Sequence, residues 1–401
     1  MFKKKSGRKT RVTIVVSLVA VPFVGSFFNP SEAQNKPEWL LVTNRYRASA
    51  GLGDVVENLQ ASAGAVAHSR YLVTNRTIAH DEDRSRPGFS DAGLRAGLTG
   101  NVSGGSGAPI AERAAIEGWL GAPFHGVGML APTSTAFGYG LSSNKKRDTW
   151  ATTLSLFWDD YVAEGQDSSG QLAALVTDLA ARDQSIDQTG YSWNCRGSNC
   201  VLVTGNRVFV TENGRLVEKA GADPVAATAG QLGYDRPVLW PGPDTGVPLT
   251  RYSGNEYPNP LASCPGYRVP VGLPIYILRG KTTEITDSSL VDDNGTSLRL
   301  CVISAATYRS PQDRAAEETG RAVLESYGAI VFLPKDPLRY GHRYEMKART
   351  TDGESFQWSF RIVSNGAIEL PSSHPKANEP TVGRASQPAP VVRAKPNSKA
   401  K

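Results

Sequence analysis

Residues 115–132, AIEGWLGAPFHGVGMLAP, hold the local pattern on which the fold assignment depends. A helix-like run that carries Trp119 leads into a Pro-Phe pair and then into His125, one of five histidines in the chain. An apolar run follows at once. His125 is therefore either a core residue whose ring nitrogens are both hydrogen-bonded or a residue that lines a cleft. Motifs elsewhere in the chain are needed to choose between these two interpretations.

The N-terminus has the pattern of a secretory signal peptide. Residues 1–33 carry six Lys or Arg, an apolar stretch, and small residues at Ser31 and Ala33 that suit cleavage. A retained membrane anchor is the competing interpretation, but the apolar run from 12 to 28 is short for a bilayer and is interrupted by Pro22. We therefore expect an exported protein, secreted or associated with the cell envelope, with no transmembrane segment after cleavage.

The formal charge of +6 is concentrated at the two ends of the chain. Residues 34–369 contain 32 basic and 36 acidic side chains, so the central part is slightly acidic. This balance argues against nucleic acid as a partner of the folded part. The tail, residues 370–401, is basic and contains several prolines without apolar periodicity, and we expect it to be disordered.

At 401 residues the chain is long enough for two or three domains, and its sequence pattern changes from one region to the next. Residues 38–162 suggest an α+β domain, with a helix in DVVENLQASAGAVAHSRYLVTN capped by Asp54 and another in APIAERAAIEGWL halted by Pro123. The strand-like runs AFGYGLSS and TWATTLSLFW follow. Residues 165–235 read as a small mixed segment with one helix and a hairpin, and residues 236–365 read as all-β.

The all-β pattern of the last segment is clearest near its end. HRYEMKARTTDGESFQWSFRIV turns at an Asp-Gly pair, and alternation places Phe356, Trp358, Phe360 and Ile362 on one face. Short strands of this kind, separated by turns, predict a β-sandwich.

All four cysteines lie in the exported part, where disulfides persist. Four cysteines allow three pairings. Cys195 and Cys200 in NCRGSNC are close enough to close a small loop, which leaves Cys264 and Cys301 as a longer cross-link. The absence of any CxxC pair makes a cysteine zinc site the weaker alternative.

The motifs NRYRASAGL, AHSRYLVTNRTIAHDED, TGNVSGG, EGWLGAPFHGVGML and FGYG occur in this order in the first domain. In this order they resemble the CAP superfamily, whose SCP domain is named for cysteine-rich secretory proteins, antigen 5 and pathogenesis-related 1 proteins, and most of all its exported bacterial members. The resemblance implies an α-β-α sandwich with a cleft flanked by His80 and His125. Two neutral imidazoles facing one another can share a divalent metal such as zinc.

The chain departs from the family pattern at the carboxylates of the cleft. Gly100 stands where the family's GEN motif has its glutamate, beside the matching Asn101, and Ala122 stands where a second glutamate follows the tryptophan. Without these groups we expect no obvious general base at the histidine pair. Glu82 in HDED is the nearest substitute, although a solvated loop carboxylate is the interpretation we favour for it.

The remaining residues of this region have structural interpretations. His68 precedes His80 by twelve residues, which is about 18 Å of rise along a continuous helix, so we expect a surface or packing role away from the site. Trp119 is expected in the core. The last domain resembles bacterial immunoglobulin-like modules in the motifs PKDPLRYGHRYEMKARTTDG and WSF. Such a fold does not by itself indicate a function.

The function that the sequence favours is non-catalytic binding of an apolar or envelope-derived ligand, a lipid or a glycan, in a cleft that includes His80, His125, Glu82 and Asn101. The first alternative is a metal-dependent hydrolase in which His80 and His125 hold the metal and activate water. The second is a structural or adhesive envelope protein in which the sandwich and the basic tail carry the role.

Overall fold

Three layers form the first part of the molecule, with a four-stranded sheet between two groups of helices. The structure is a computed structural model, and it describes residues 36–156, 168–186, 191–196, 199–204, 207–212, 215–221, 234, 236–364 and 366–371. The side chains of 168–174, 191–200 and 212 are outside this description, as are the predicted signal peptide and nearly all of the predicted tail.

The elements of the first part follow one another closely along the chain. They are α1 (Glu38–Ser49), β1 (Val56–Glu57), α2 (Leu59–Asn75), α3 (Asp91–Leu98), β2 (Gly100–Ser106), α4 (Glu112–Leu120), α5 (Pro123–Met129), β3 (Ala136–Asn144) and β4 (Thr149–Ser155). The sheet order is β1-β3-β4-β2, with β1 parallel to β3 and the other pairs antiparallel.

Alternation along β3 explains how the sheet accepts a helix layer on each face. Phe137 and Tyr139 point into the large core with the side chains of α1 and α4. Gly138 and Gly140 face α2, where an added Cβ would lie 2.3 Å from the carbonyl carbon of Ala61 and 2.1 Å from the backbone nitrogen of Val66, respectively. Glycine at these two positions therefore lets α2 lie directly on the sheet.

One predicted helix boundary in this part is wrong and one is confirmed. Asp54 does not cap α2, because Val56–Glu57 forms a short strand and Asn58 caps the helix by accepting from the N–H groups of Gln60 and Ala61. The second predicted helix, α4, ends at Leu120, before Pro123, as predicted. Pro123 has a further role that the sequence did not suggest: its ring suits the first helical position, and it begins α5, which carries His125.

The mixed segment contains the predicted helix and hairpin. Its elements are α6 (Ser168–Arg182), β5 (Tyr191–Arg196), β6 (Asn199–Thr204), β7 (Arg207–Glu212) and β8 (Arg215–Glu218), and the strands form one antiparallel sheet in that order. Cys195 and Cys200 are Cα partners across β5 and β6, but their side chains lie outside the described residues.

The last part contains two larger sheets and a helix. Its elements are β9 (Val238–Trp240), β10 (Gly246–Val247), β11 (Arg251–Tyr252), a 3-10 turn (Pro260–Ser263), β12 (Val271–Gly272), β13 (Ile275–Leu278), β14 (Ile285–Asp292), β15 (Ser297–Leu298), β16 (Leu300–Ser304), α7 (Arg314–Ser326), β17 (Ala329–Pro334), β18 (Arg343–Thr350) and β19 (Ser355–Ile362). The first sheet has the order β10-β19-β18-β14-β15, the second β16-β17-β13-β9, and β11 pairs with β12.

The prediction of an all-β segment is wrong at α7. This 13-residue helix is capped by Asp313, whose carboxylate accepts from the N–H of Ala316, and its sequence RAAEETGRAVLES is rich in strong helix formers. The alternation predicted for β19 is confirmed, because Phe356, Trp358, Phe360 and Ile362 are all buried. The Cys264–Cys301 disulfide is also confirmed.

One hydrophobic core runs through the first and last parts. It includes Trp39 and Tyr46 from α1 together with Trp240 and Tyr276 from the second sheet. β13 and β17 are buried at every residue, as expected for strands covered on both faces. Within the described ranges, none of the helices combines the length and apolar character that a membrane crossing requires.

Candidate functional site

The structure brings the rings of His80 and His125 together. Their centroids lie 6.4 Å apart and their planes are inclined by 26°. His80 follows α2 in an exposed loop, and the side chain of His125 on α5 is 13 % exposed, so solvent reaches both. Two imidazoles contributed by separate segments therefore border one accessible space.

The orientation of His80 is fixed by α3. Its Nδ1 lies 2.9 Å from the carbonyl oxygen of Gly97. Because a carbonyl only accepts, Nδ1 carries the proton, and the Nε2 of the neutral ring keeps a lone pair. Burial lowers the pKa of His80, the hydrogen bond to Gly97 acts to raise it, and the nearby His125 and His68 lower it further. Water around this exposed residue limits the shift, but its direction favours the neutral ring.

Of the two interpretations of His68, the position on the helix surface is wrong and the packing role is confirmed. The helix ends at Asn75, and Arg76 takes a left-handed conformation that reverses the chain, so twelve residues of separation do not become 18 Å. His68 is completely buried. Its Nε2 donates to the carbonyl oxygen of Ala79, 3.0 Å away, directly before His80.

Glu82 forms the other contact of His68. Its Oε1 lies 2.9 Å from His68 Nδ1, and its Oε2 accepts from the N–H of Ser90 at 2.9 Å. The residue is 5 % exposed, so its interpretation as a solvated loop carboxylate is wrong. With both oxygens engaged, Glu82 anchors the loop that presents His80, and its expected service as a base for the ring pair finds no support in these contacts.

Asn101 lies behind the other histidine. Its side-chain amide donates to the carbonyl oxygen of His125 at 3.2 Å, and the residue is 5 % exposed. This contact orients the backbone at His125. Direct contact between Asn101 and a ligand stays a prediction. Trp119 is buried in the core, as expected.

A carboxylate does reach the histidine pair, from a residue that the sequence analysis missed. Glu256 Oε1 lies 2.7 Å from His125 Nδ1, although 131 residues separate the two. The same oxygen accepts from the backbone N–H of Phe124 at 2.7 Å and of His125 at 2.9 Å. The carboxylate beside His125 therefore comes from neither of the two family positions nor from Glu82. No local signal in SGNEYPNP could reveal this, because the contact is made only by the folding of distant segments.

The ring pair offers few ligands for a metal. Among the residues that the structure describes, no group of three or more His, Cys, Asp or Glu side chains is arranged to hold a metal ion. A metal at this site would have two imidazole ligands from the protein and would need water to complete its coordination.

Residues 40–158 match the family model described as CAP, the cysteine-rich secretory protein family. A comparison of the chain with curated proteins gives no significant match. The matched segment covers the three-layer part of the molecule and includes both histidines of the cleft. Residues 40–158 are therefore a CAP domain within a longer chain.

Proposed function

We propose that the protein is an exported, non-catalytic binding protein and that the His80–His125 cleft binds a hydroxyl-bearing ligand of the cell envelope, a glycan in the first instance. The observation that carries this proposal is the pairing of two solvent-accessible imidazoles at 6.4 Å. The Nδ1 of His80 is committed to Gly97, so its Nε2 offers an acceptor to a ligand hydroxyl.

The chemistry of the cleft supports binding more than catalysis. Glu82 is engaged by His68 and Ser90, and the Oε1 of Glu256 already accepts three N–H groups. Neither carboxylate is in the position of a free base beside a bound substrate. Acceptor atoms on rigid rings are also better suited to hydroxyl groups than to a purely apolar ligand.

Calorimetry or chemical-shift titration with soluble cell-wall oligosaccharides tests this proposal. Binding should be saturable, and it should be lost in the double variant His80→Ala/His125→Ala. His342→Ala is the matched control, because this histidine lies in the last part of the chain and pairs with Asp293. Failure of the wild-type protein to bind any oligosaccharide of the panel, or equal binding by the double variant, would contradict the proposal.

A metal-dependent hydrolase is the second candidate, and one observation favours it. A metal-bound histidine usually donates its other ring N–H to a carboxylate, and the Nδ1 of His125 has such a partner in Glu256. The donor set fits a catalytic zinc poorly, since such sites have three protein ligands and this cleft supplies two. Zinc uptake measured by calorimetry, and its loss in the same double variant, would favour this candidate over the first.

We also propose that residues 236–365 form an immunoglobulin-like module, that residues 1–33 are a signal peptide and that the protein is bacterial. The third candidate, an adhesive or structural envelope protein, rests on this segment and the basic tail. Cell-surface retention that depends on the tail, with no ligand binding by the cleft, would favour it.

A further inference from the structure

The helix that carries His125 belongs to the CAP domain, but its first turn is held by contacts from the last part of the chain. α5 has seven residues, too few for a stable isolated helix. Tyr276 of β13 donates its hydroxyl toward the carbonyl oxygens of Leu120 and Ala122, each 3.2 Å away, directly before this helix. The ring of Phe124 packs edge-on against Tyr308 at 5.2 Å.

Glu256 reaches this helix from the loop that follows β11. Its side chain is 1 % exposed, and all of its hydrogen bonds pass through Oε1 to the first turn of α5 and to the ring of His125. Its Oε2 has no hydrogen-bond partner among the described residues. The hydrogen bonds of this carboxylate therefore all act to position His125 and the helix turn that carries it.

The hydrogen bonds of Glu256 determine the tautomer of the His125 ring. An oxygen that already accepts two backbone N–H groups must be an acceptor toward the third group as well, so the Nδ1 of His125 carries a proton. The Nε2 of the neutral ring then keeps its lone pair.

We propose that Glu256 is a positioning residue for the CAP cleft, which holds His125 as the Nδ1–H tautomer so that both histidines present acceptor nitrogens to the ligand. This inference deepens the proposed function and rests on it for its consequence, the ligand class. The tautomer itself is a property of the free protein. Gly97 does for His80 within the CAP domain what Glu256 does for His125 from outside it.

The tautomers can be read from the ¹⁵N shifts and couplings of the two imidazoles in the full-length protein, at about pH 8, above the usual range of histidine pKa values. The wild-type protein should show Nδ1–H at both His80 and His125. Replacement of the acceptor in Glu256→Ala should return His125 largely to the Nε2–H form that free imidazoles prefer, and should leave His80 unchanged. Glu256→Gln, which keeps an acceptor oxygen, should preserve the wild-type tautomer.

Asp293→Ala is the matched control, because it removes a carboxylate from the Nδ1 of the remote His342, 2.7 Å away. It should leave His125 unchanged. An Nε2–H tautomer at His125 in the wild-type protein would overturn the inference without any variant, and so would an unchanged His125 tautomer in a folded Glu256→Ala protein, with His80 reporting that the domain is folded.

The consequence for binding is measured separately with the same soluble oligosaccharides. Glu256→Ala should weaken binding by about tenfold or more, since it presents a donor where the ligand needs an acceptor, and Glu256→Gln should restore most of the affinity. If the tautomers are as expected but neither the wild-type protein nor any variant binds an oligosaccharide, the proposed function is wrong and the positioning role of Glu256 still holds. Binding that is equally tight in Glu256→Ala, with its tautomer changed, would show that His125 is not the ligand's acceptor.

Discussion

Replacement of Gly97 by alanine is a sharp test of the packing beneath the cleft. An ideal Cβ at Gly97 would lie 2.3 Å from the backbone oxygen of His80 and 2.4 Å from the Cε1 of His68. Neither neighbour can move at low cost, because one is backbone and the other is a buried ring held at both nitrogens. Overpacking of this kind destabilises a protein by about 1–3 kcal/mol.

Gly118 provides the matched control. It also lies inside a helix, α4, but it is exposed and an added Cβ would meet nothing within 4 Å. Alanine at a helix position is favoured over glycine by about 0.8–1 kcal/mol, and both variants share this gain. We therefore expect Gly118→Ala to be more stable than the wild type, and Gly97→Ala to be less stable than Gly118→Ala by about 1–3 kcal/mol, which is the energy of the clash.

Urea unfolding followed by tryptophan fluorescence measures both free energies. In Gly97→Ala the ¹⁵N signals of His80 should also shift, because the new methyl group pushes on its backbone. Equal stability of the two alanine variants, together with an unchanged His80 spectrum, would refute the arrangement of α3 against this loop.

Three further predictions concern stability. Burial acts to raise the pKa of Asp352, but hydrogen bonds from the buried Arg279 and other donors hold this pKa well below its usual range. The carboxylate therefore stabilises the fold above about pH 4, and its contribution falls as the pH is lowered further. The loss of stability caused by Asp352→Asn, measured by urea unfolding, should shrink as the pH falls below about 4. Arg47→Met should cost about 3 kcal/mol or more by thermal unfolding, since the buried guanidinium donates to four backbone carbonyls that would lose their partner, and a loss under about 1 kcal/mol would contradict this. The double replacement Cys264→Ala/Cys301→Ala opens a loop with a sequence separation of 37 and should cost about 4 kcal/mol, which the same measurement on reduced wild-type protein should reproduce.

The sequence predicted the parts of the site that depend on local motifs. His80 and His125 stand in short, ordered patterns whose family match is confirmed over residues 40–158. The strands AFGYGLSS and TWATTLSLFW were also predictable, because strand formers and turns determine such elements locally. The start of α2 was harder to predict, since Val56–Glu57 pairs with β3 as a short strand and the helix begins only after Asn58.

The parts that the sequence did not reveal all depend on contacts between distant segments. α7 was missed because its neighbours are strands, although its own residues favour a helix. Glu256 was missed because a glutamate in a turn is normally solvated, and only the packing of β11 and its loop against α5 buries it. Glu82 was assigned to the surface for the same reason, since charge patterns carry no information about a partner such as His68 that a chain reversal brings close.

The two walls of the cleft therefore have different origins and should respond differently to change. His80 is held by groups of the CAP domain itself, through Gly97 and the buried pair beneath its loop. His125 is held by Glu256 and by a helix start that Tyr276 of the second sheet supports. Because Tyr276 and Glu256 both bond to the start of α5, we expect a displacement of the last part of the chain to move this helix. We therefore expect a rearrangement in the last part of the chain to move His125 more than His80 and to alter the distance between the two rings.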